Sequence, residues 1–190
     1  MKTGKFAASL VAGVVFSGSA SVAIAQGGYA GISLGQAKVK DFCDDIAFSC
    51  DDTAGTGRIY AGAFFDQYLA FEGGYRYIDD VTMSDAMDSL DVSYHMFDSS
   101  LVIYTPKLGP ARLFLKAGAQ FWQQDLSLSG GFSEKERGVA FRTGAGATID
   151  ITERFAVRLE WDYLQNLGDD TFDNLKSDIH VFSAGPEFRF

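Results

Sequence analysis

Eight stretches of the chain alternate in polarity residue by residue: Gly28 to Val39, Gly57 to Phe65, Leu69 to Tyr77, Val92 to Tyr104, Ala111 to Trp122, Gly138 to Ile149, Phe155 to Tyr163 and Ile179 to Phe190. Successive side chains on a strand point to opposite faces, so a period of two predicts strands whose two faces differ in character. From Ala111 to Trp122, Leu113, Leu115, Ala117, Ala119 and Phe121 share a face without charge, while Arg112, Phe114, Lys116, Gly118 and Gln120 share the other. Val139, Phe141, Ala145 and Ile149 likewise oppose Arg142, Gly144, Gly146 and Thr148, and Val157, Leu159, Trp161 and Tyr163 oppose Arg158, Glu160 and Asp162. Composition agrees, because 21 glycines, 17 phenylalanines and 8 tyrosines suit pleated sheet better than helix.

The connections come in two kinds that take turns. Residues 66–68, 106–110 and 150–154 are short, whereas the segments near 40–56, 78–91, 123–137 and 164–178 are long and polar. This rhythm, with strands long enough to cross a bilayer when tilted, predicts an all-β fold: an eight-stranded antiparallel up-and-down transmembrane β-barrel. A soluble barrel could show the same alternation with its apolar face inward. The glycines tilt the choice toward the membrane barrel, since Gly62, Gly74, Gly118, Gly144, Gly146 and Gly185 all fall on the charged side. Small residues there make room for long charged side chains in a narrow lumen. Aromatic residues gather at the strand ends, Phe65, Tyr68, Phe155, Phe188 and Phe190 near the short turns and Tyr77, Trp122 and Tyr163 near the long segments, as in interfacial girdles.

Parity assigns a charge network to that lumen: Arg58, Glu72, Arg76, Lys116, Arg142, Arg158, Glu160, Glu187 and Arg189, with Arg112 and Asp162 on the same face. Pairing strands about a turn centred at residue 67 sets Glu72 opposite Gly62 and Arg58 opposite Arg76. Pairing about 152 sets Glu160 opposite Gly144. Unpaired charges in so crowded a space would be costly, so the acids are expected to hold the bases together.

Residues 1–25 open with Lys2 and Lys5, continue through an apolar stretch and close on Ala23-Ile24-Ala25. This is the order of a cleaved secretory signal, leaving 26–190 as the barrel domain. In an exported chain the pair Cys43 and Cys50, close together in a polar segment, is expected to form a disulfide. Metal binding by these thiols would need further ligands, and His95 and His180 are the only histidines.

The ending Ser183-Ala-Gly-Pro-Glu-Phe-Arg-Phe190, the run Arg158-Leu-Glu-Trp-Asp-Tyr163 with Asn166-Leu-Gly-Asp169 after it, and Phe71-Glu-Gly-Gly-Tyr75 behind a short turn resemble the OmpA-like transmembrane domain family. The resemblance covers the mature chain and implies a bacterial outer-membrane barrel with both termini in the periplasm. It implies that Gly185, Phe188 and Phe190 form the signal read by the barrel-assembly machinery. Outer-membrane lipid and lipopolysaccharide are the implied surroundings, and a monomer is expected. No cell-wall-binding domain is expected after Phe190, so a tether to peptidoglycan is not carried over, and the cysteine pair lies outside the family's minimal pattern.

A net charge of -9 argues against nucleic acid as a partner. Catalysis finds little support, because His180 and Ser183 are three apart and so point to opposite faces of one strand. Gly144-Ala-Gly-Ala-Thr148 has no helix after it to build a phosphate site. The acidic segments around Asp44 and Asp85 read as solvated rims, without calcium-loop spacing. No cofactor is expected. The reading is a structural barrel with surface-exposed acidic loops and a filled lumen. The alternatives are a narrow pore, an adhesin or receptor acting through the long loops, and, least favoured, a soluble lipocalin-like carrier.

Overall fold

The computed structural model describes residues 27–39, 49–50, 53–84, 89–128, 133–167 and 177–190. Its strands are β1 (Gly28–Val39), β2 (Ser49–Cys50), β3 (Thr53–Phe64), β4 (Leu69–Ser84), β5 (Ser89–Tyr104), β6 (Ala111–Leu128), β7 (Ser133–Asp150), β8 (Phe155–Leu167) and β9 (Ser177–Arg189). Every long strand pairs antiparallel with its neighbours in sequence, and β1 pairs with β9, which closes an eight-stranded barrel. The two-residue β2 sits outside the closed ring, against the outer end of β4. Following ladder partners once around from Gly28 leads back to β1 at Lys38, a stagger of ten residues. Such a stagger goes with strands tilted by about 40° from the barrel axis.

Short turns close one end. Asp66 accepts hydrogen bonds from the backbone N–H of Tyr68 (2.6 Å) and Leu69 (2.8 Å), and Thr152 Oγ1 accepts from Phe155 N (3.0 Å). Gly109 takes a left-handed φ of 66° in the turn between β5 and β6. In outer-membrane barrels the short turns are periplasmic and the long hairpins face the cell exterior.

Two features depart from the sequence reading. The segments near 78–91 and 123–137 are mostly ladder, not loop: β4 runs to Ser84, β5 starts at Ser89, β6 runs to Leu128 and β7 starts at Ser133. Val81 pairs with Val92 and Met83 with Leu90, which in turn faces Leu128, so β-forming residues recur among the acids. The hairpin ladder satisfies the backbone there without needing an apolar face. The second departure is the β7–β8 register. The turn closes through Ile151 N to Phe155 O (2.8 Å), so Glu160 faces Gly146, and Gly144 faces Asp162. The shift is by two residues and therefore keeps every side chain on its face. Around the first turn Gly62 faces Glu72 and Arg58 faces Arg76.

The faces separate cleanly. Leu34, Ile59, Phe97, Leu101, Ile103, Leu115, Phe121, Val139 and Phe182 are exposed on the outside, while Arg58, Asp98, Lys116, Arg142 and Glu187 of the same strands are buried inside. A large exposed apolar surface wrapped around a buried charged interior is the reverse of a water-soluble protein.

Candidate functional site

The lumen is built in three layers. Next to the short turns, Tyr29, Tyr60, Ala70, Val102, Tyr104 and Phe114 form an aromatic cluster, with Phe64 against it. At the outer end, Ala37, Val39, Ile78, Tyr94, Met96, Trp122, Leu164, Ile179 and Val181 form an aliphatic and aromatic cluster. Between them lie five buried bases, Arg58, Arg76, Lys116, Arg142 and Arg158, and five buried acids, Glu72, Asp98, Glu160, Asp162 and Glu187.

Glu160 is the hub. Its Oε1 lies 2.5 Å from Lys116 Nζ, 3.3 Å from Arg58 Nη1 and 3.4 Å from Arg142 Nη2, and its Oε2 lies 2.8 Å from Arg158 Nε. Glu72 bonds Arg58 (2.9 Å) and Arg158 (2.8 Å) and accepts the Tyr29 hydroxyl proton at 2.9 Å. Asp162 pairs with Arg76, with Lys116 at 2.9 Å and with Arg142 at 2.9 Å. Arg158 also reaches Glu187 at 3.2 Å and lies over the Phe114 ring, 4.1 Å from its centre. The facing pair Arg58 and Arg76 is thus separated in charge by Glu160, which both contact. Glycines clear the space: a Cβ at Gly144 would stand 2.6 Å from Asp162 Oδ1 and 2.7 Å from Lys116 Cε.

Arg189 stands at the short-turn edge of this cluster, partly exposed, joined to Glu187 at 3.0 Å and to Asp150 at 2.5 Å. Arg112 stacks on Tyr104 instead of joining the acids. Asp98 was missing from the sequence assignment, yet it pairs with Arg58 at 2.5 Å and with Arg142. Its parity with Met96, Ser100 and Val102, all buried, is the signal that marks it as inward. Ser183 faces the lumen and His180 faces out, where it stacks on Trp161 and Tyr163. At the end of β9, Phe188 and the following Phe190 are exposed and in ring contact, and a Cβ on Gly185 would collide with the Ile32 carbonyl oxygen. Cys43 lies outside the described residues, and of Cys50 only the backbone pairing with Met83 is described. Residues 1–25 also lie outside them.

The arrangement is stabilising chemistry more than reactive chemistry. Each ionised group of the buried cluster lies among counter-charges that offset its lost hydration. No group of three or more His, Cys, Asp or Glu among the described residues is placed to hold a metal ion.

The family model described as outer membrane protein beta-barrel domain matches residues 8–190. Outer membrane protein A of Yersinia pseudotuberculosis serotype I is 25% identical over 171 residues, covering 85% of this chain and 48% of that protein. Outer membrane protein A of Klebsiella pneumoniae is 26% identical over 179 residues, covering 85% of this chain and 50% of that protein. The chain spans about half the length of these relatives. Among solved structures, Neisserial surface protein A matches with a TM-score of 0.67 at 16% identity over 86% of this chain and 97% of that one. OprG of Pseudomonas aeruginosa matches with a TM-score of 0.60 at 13% identity over 86% and 96%. Ail of Yersinia pestis, solved with the heparin analogue sucrose octasulfate, matches with a TM-score of 0.57 at 17% identity over 86% and 99%. These structural likenesses show a shared fold.

Proposed function

Since the chain belongs to the outer membrane protein beta-barrel domain family, and so is a bacterial outer-membrane barrel, we propose that it is a non-conducting structural barrel that presents its hairpins and acidic loops to the cell exterior. The observation that carries this reading is the layering of the lumen. A network of matched charge lies between two apolar clusters, and an ion entering it would have to displace paired side chains and cross a dry layer at each end. Planar bilayers containing the purified protein are expected to stay silent under applied voltage. Discrete ohmic steps would favour the pore reading instead.

The adhesin reading is favoured by one feature, the continuation of β4 to β7 as paired strands beyond the barrel's lipid-facing band. The Ail structure carries a sulfated heparin analogue, but the many aspartates of this chain's long segments, among them Asp44, Asp45, Asp51 and Asp52, would repel a polyanion. A loop partner of this chain is therefore neutral or cationic in the reading proposed here.

Four further assignments belong to the proposal. The barrel functions as a monomer without catalysis, residues 1–25 are removed on export, and the end of β9 with Gly185, Phe188 and Phe190 guides assembly. Cys43 and Cys50 are joined in the exported protein, closing a loop short enough to be worth somewhat less than about 3 kcal/mol. Alkylation without reductant followed by mass spectrometry is expected to leave both cysteines unmodified. Two alkylated thiols would remove the disulfide from the account.

A further inference from the structure

The last strand is joined to the first in two separate pieces. On the short-turn side Tyr29, Ala30 and Gly31 pair with Arg189, Phe188 and Glu187, and toward the outer end residues 34–39 pair with residues 184–179. Between the pieces the ladder skips Ile32 and Ser33 on β1 and Gly185 and Pro186 on β9, although the register is the same on both sides. Pro186 is the cause. Gly28 and Phe190 exchange both backbone bonds, N to O at 2.8 and 2.9 Å, and in an antiparallel ladder every second pair repeats that exchange. In this register Pro186 falls opposite Ile32 at such a position, where the N–H it lacks would have donated to the Ile32 carbonyl. On its other side β9 pairs without interruption here, Pro186 with Val157 and Gly185 with Arg158, so the break lies in the closing seam.

A second set of bonds holds the piece beyond the break. The ladder row Asp150, Ala156 and Glu187 crosses β7, β8 and β9, and Arg189 bridges its two ends, 2.5 Å from Asp150 Oδ1 and 3.0 Å from Glu187 Oε1. Ala156 in the middle is buried and too small to stand in the way. Asp150 is itself tied to the turn between β5 and β6, its carboxylate accepting from Lys107 Nζ at 2.6 Å and its N–H donating to Pro110 O at 2.8 Å. One carboxylate thus fastens the end of the last strand to a hairpin that the strand does not touch in the ladder.

We propose that residues 187–190 form a strap across the seam, hinged at Pro186 and latched by Arg189 to Asp150, which opens in the folded barrel while the outer piece of the seam stays closed. Three ladder pairs and the bonds of Gly28 with Phe190 are a short run to stand alone, and the latch is what keeps it shut. Opening withdraws Glu187 from Arg158, 3.2 Å away, and brings water to the short-turn edge of the buried charge network. The inference goes beyond the structural reading, since it depends neither on conduction nor on a loop partner.

Hydrogen exchange read amide by amide by NMR separates the two pieces, on protein folded in detergent micelles and checked by its change in gel mobility on heating. By the register the N–H groups of Phe188 and Phe190 donate to β1 beyond the break, and those of Phe182 and Ala184 donate to β1 before it. Pro186→Ala supplies the missing N–H and is expected to slow exchange at Phe188 about tenfold, with Phe182 and Ala184 unchanged. Because this variant adds a bond, its result does not rely on a weakened barrel folding. Arg189→Gln is expected to speed exchange at Phe188 and Phe190 about tenfold, again with Phe182 and Ala184 unchanged, and Arg189→Lys to restore most of the protection. Asp150→Asn is expected to give the same pattern and to add nothing to Arg189→Gln at these amides, since both break one latch. Equal changes at all four amides would mean that the seam opens only as a whole and would overturn the proposal. So would unaltered rates at Phe188 and Phe190 in Arg189→Gln, or an unaltered rate at Phe188 in Pro186→Ala.

Discussion

Glu160→Gln is expected to destabilise the barrel by about 3–5 kcal/mol, the cost of removing one partner from a buried ion network. The amide keeps the volume and loses the charge, so the change isolates electrostatics from packing. Glu160 touches Lys116, Arg58, Arg142 and Arg158, and without its charge five buried bases would face four buried acids. Urea unfolding of the barrel from lipid vesicles measures the loss. A loss below about 1 kcal/mol, the level of an exposed pair, would mean that water screens the lumen. A double-mutant cycle with Arg142→Met is expected to show coupling of at least about 0.5 kcal/mol, as for residues within one network. Additivity in that cycle would exclude this pair from it.

Leu115→Arg is expected to cost roughly 2–4 kcal/mol, because near the bilayer midplane a charge on the lipid face loses its water and finds no partner. Leu108→Arg is the control. Leu108 is 62% exposed and Leu115 64% exposed, so the two leucines are alike in accessibility and differ in depth, since Leu108 sits in the short turn between β5 and β6. Near the interface the same substitution should cost about 0–1 kcal/mol. The contrast is read from the folding yield and urea midpoint of each variant in vesicles. Equal tolerance would mean that the outer face of β6 meets water.

The strand faces were legible because a period of two survives even where propensity is weak. Gly118 and Gly146 are poor strand formers, yet their parity with Lys116 and Arg142 placed them inside. The β3–β4 register followed from the short turn, with Asp66 accepting the backbone amides of Tyr68 and Leu69. The β7–β8 register did not, because which backbone atoms close the turn beyond Asp150 depends on the Thr152 hydroxyl as much as on loop length. The long hairpins were hidden by their aspartates, since backbone pairing such as Val81 with Val92 and Asp125 with Lys135 needs no hydrophobic pattern. The network's membership was nearly complete, but it lacked Asp98, whose parity with Met96 and Ser100 marks it as inward. The two apolar clusters that cap the lumen could not be seen at all, since they join residues such as Val39, Ile78 and Leu164 from strands far apart in sequence.

The same alternation of faces would serve a soluble barrel turned inside out, so the most direct test asks which solvent the outer face requires. Cells expressing the protein are fractionated, and the membrane-bound material is extracted first with aqueous buffer and then with detergent. The account predicts that the protein stays with the outer membrane until detergent is added, and that unheated and boiled samples migrate differently on gels. Release into buffer without detergent, with no difference in mobility on heating, would contradict it.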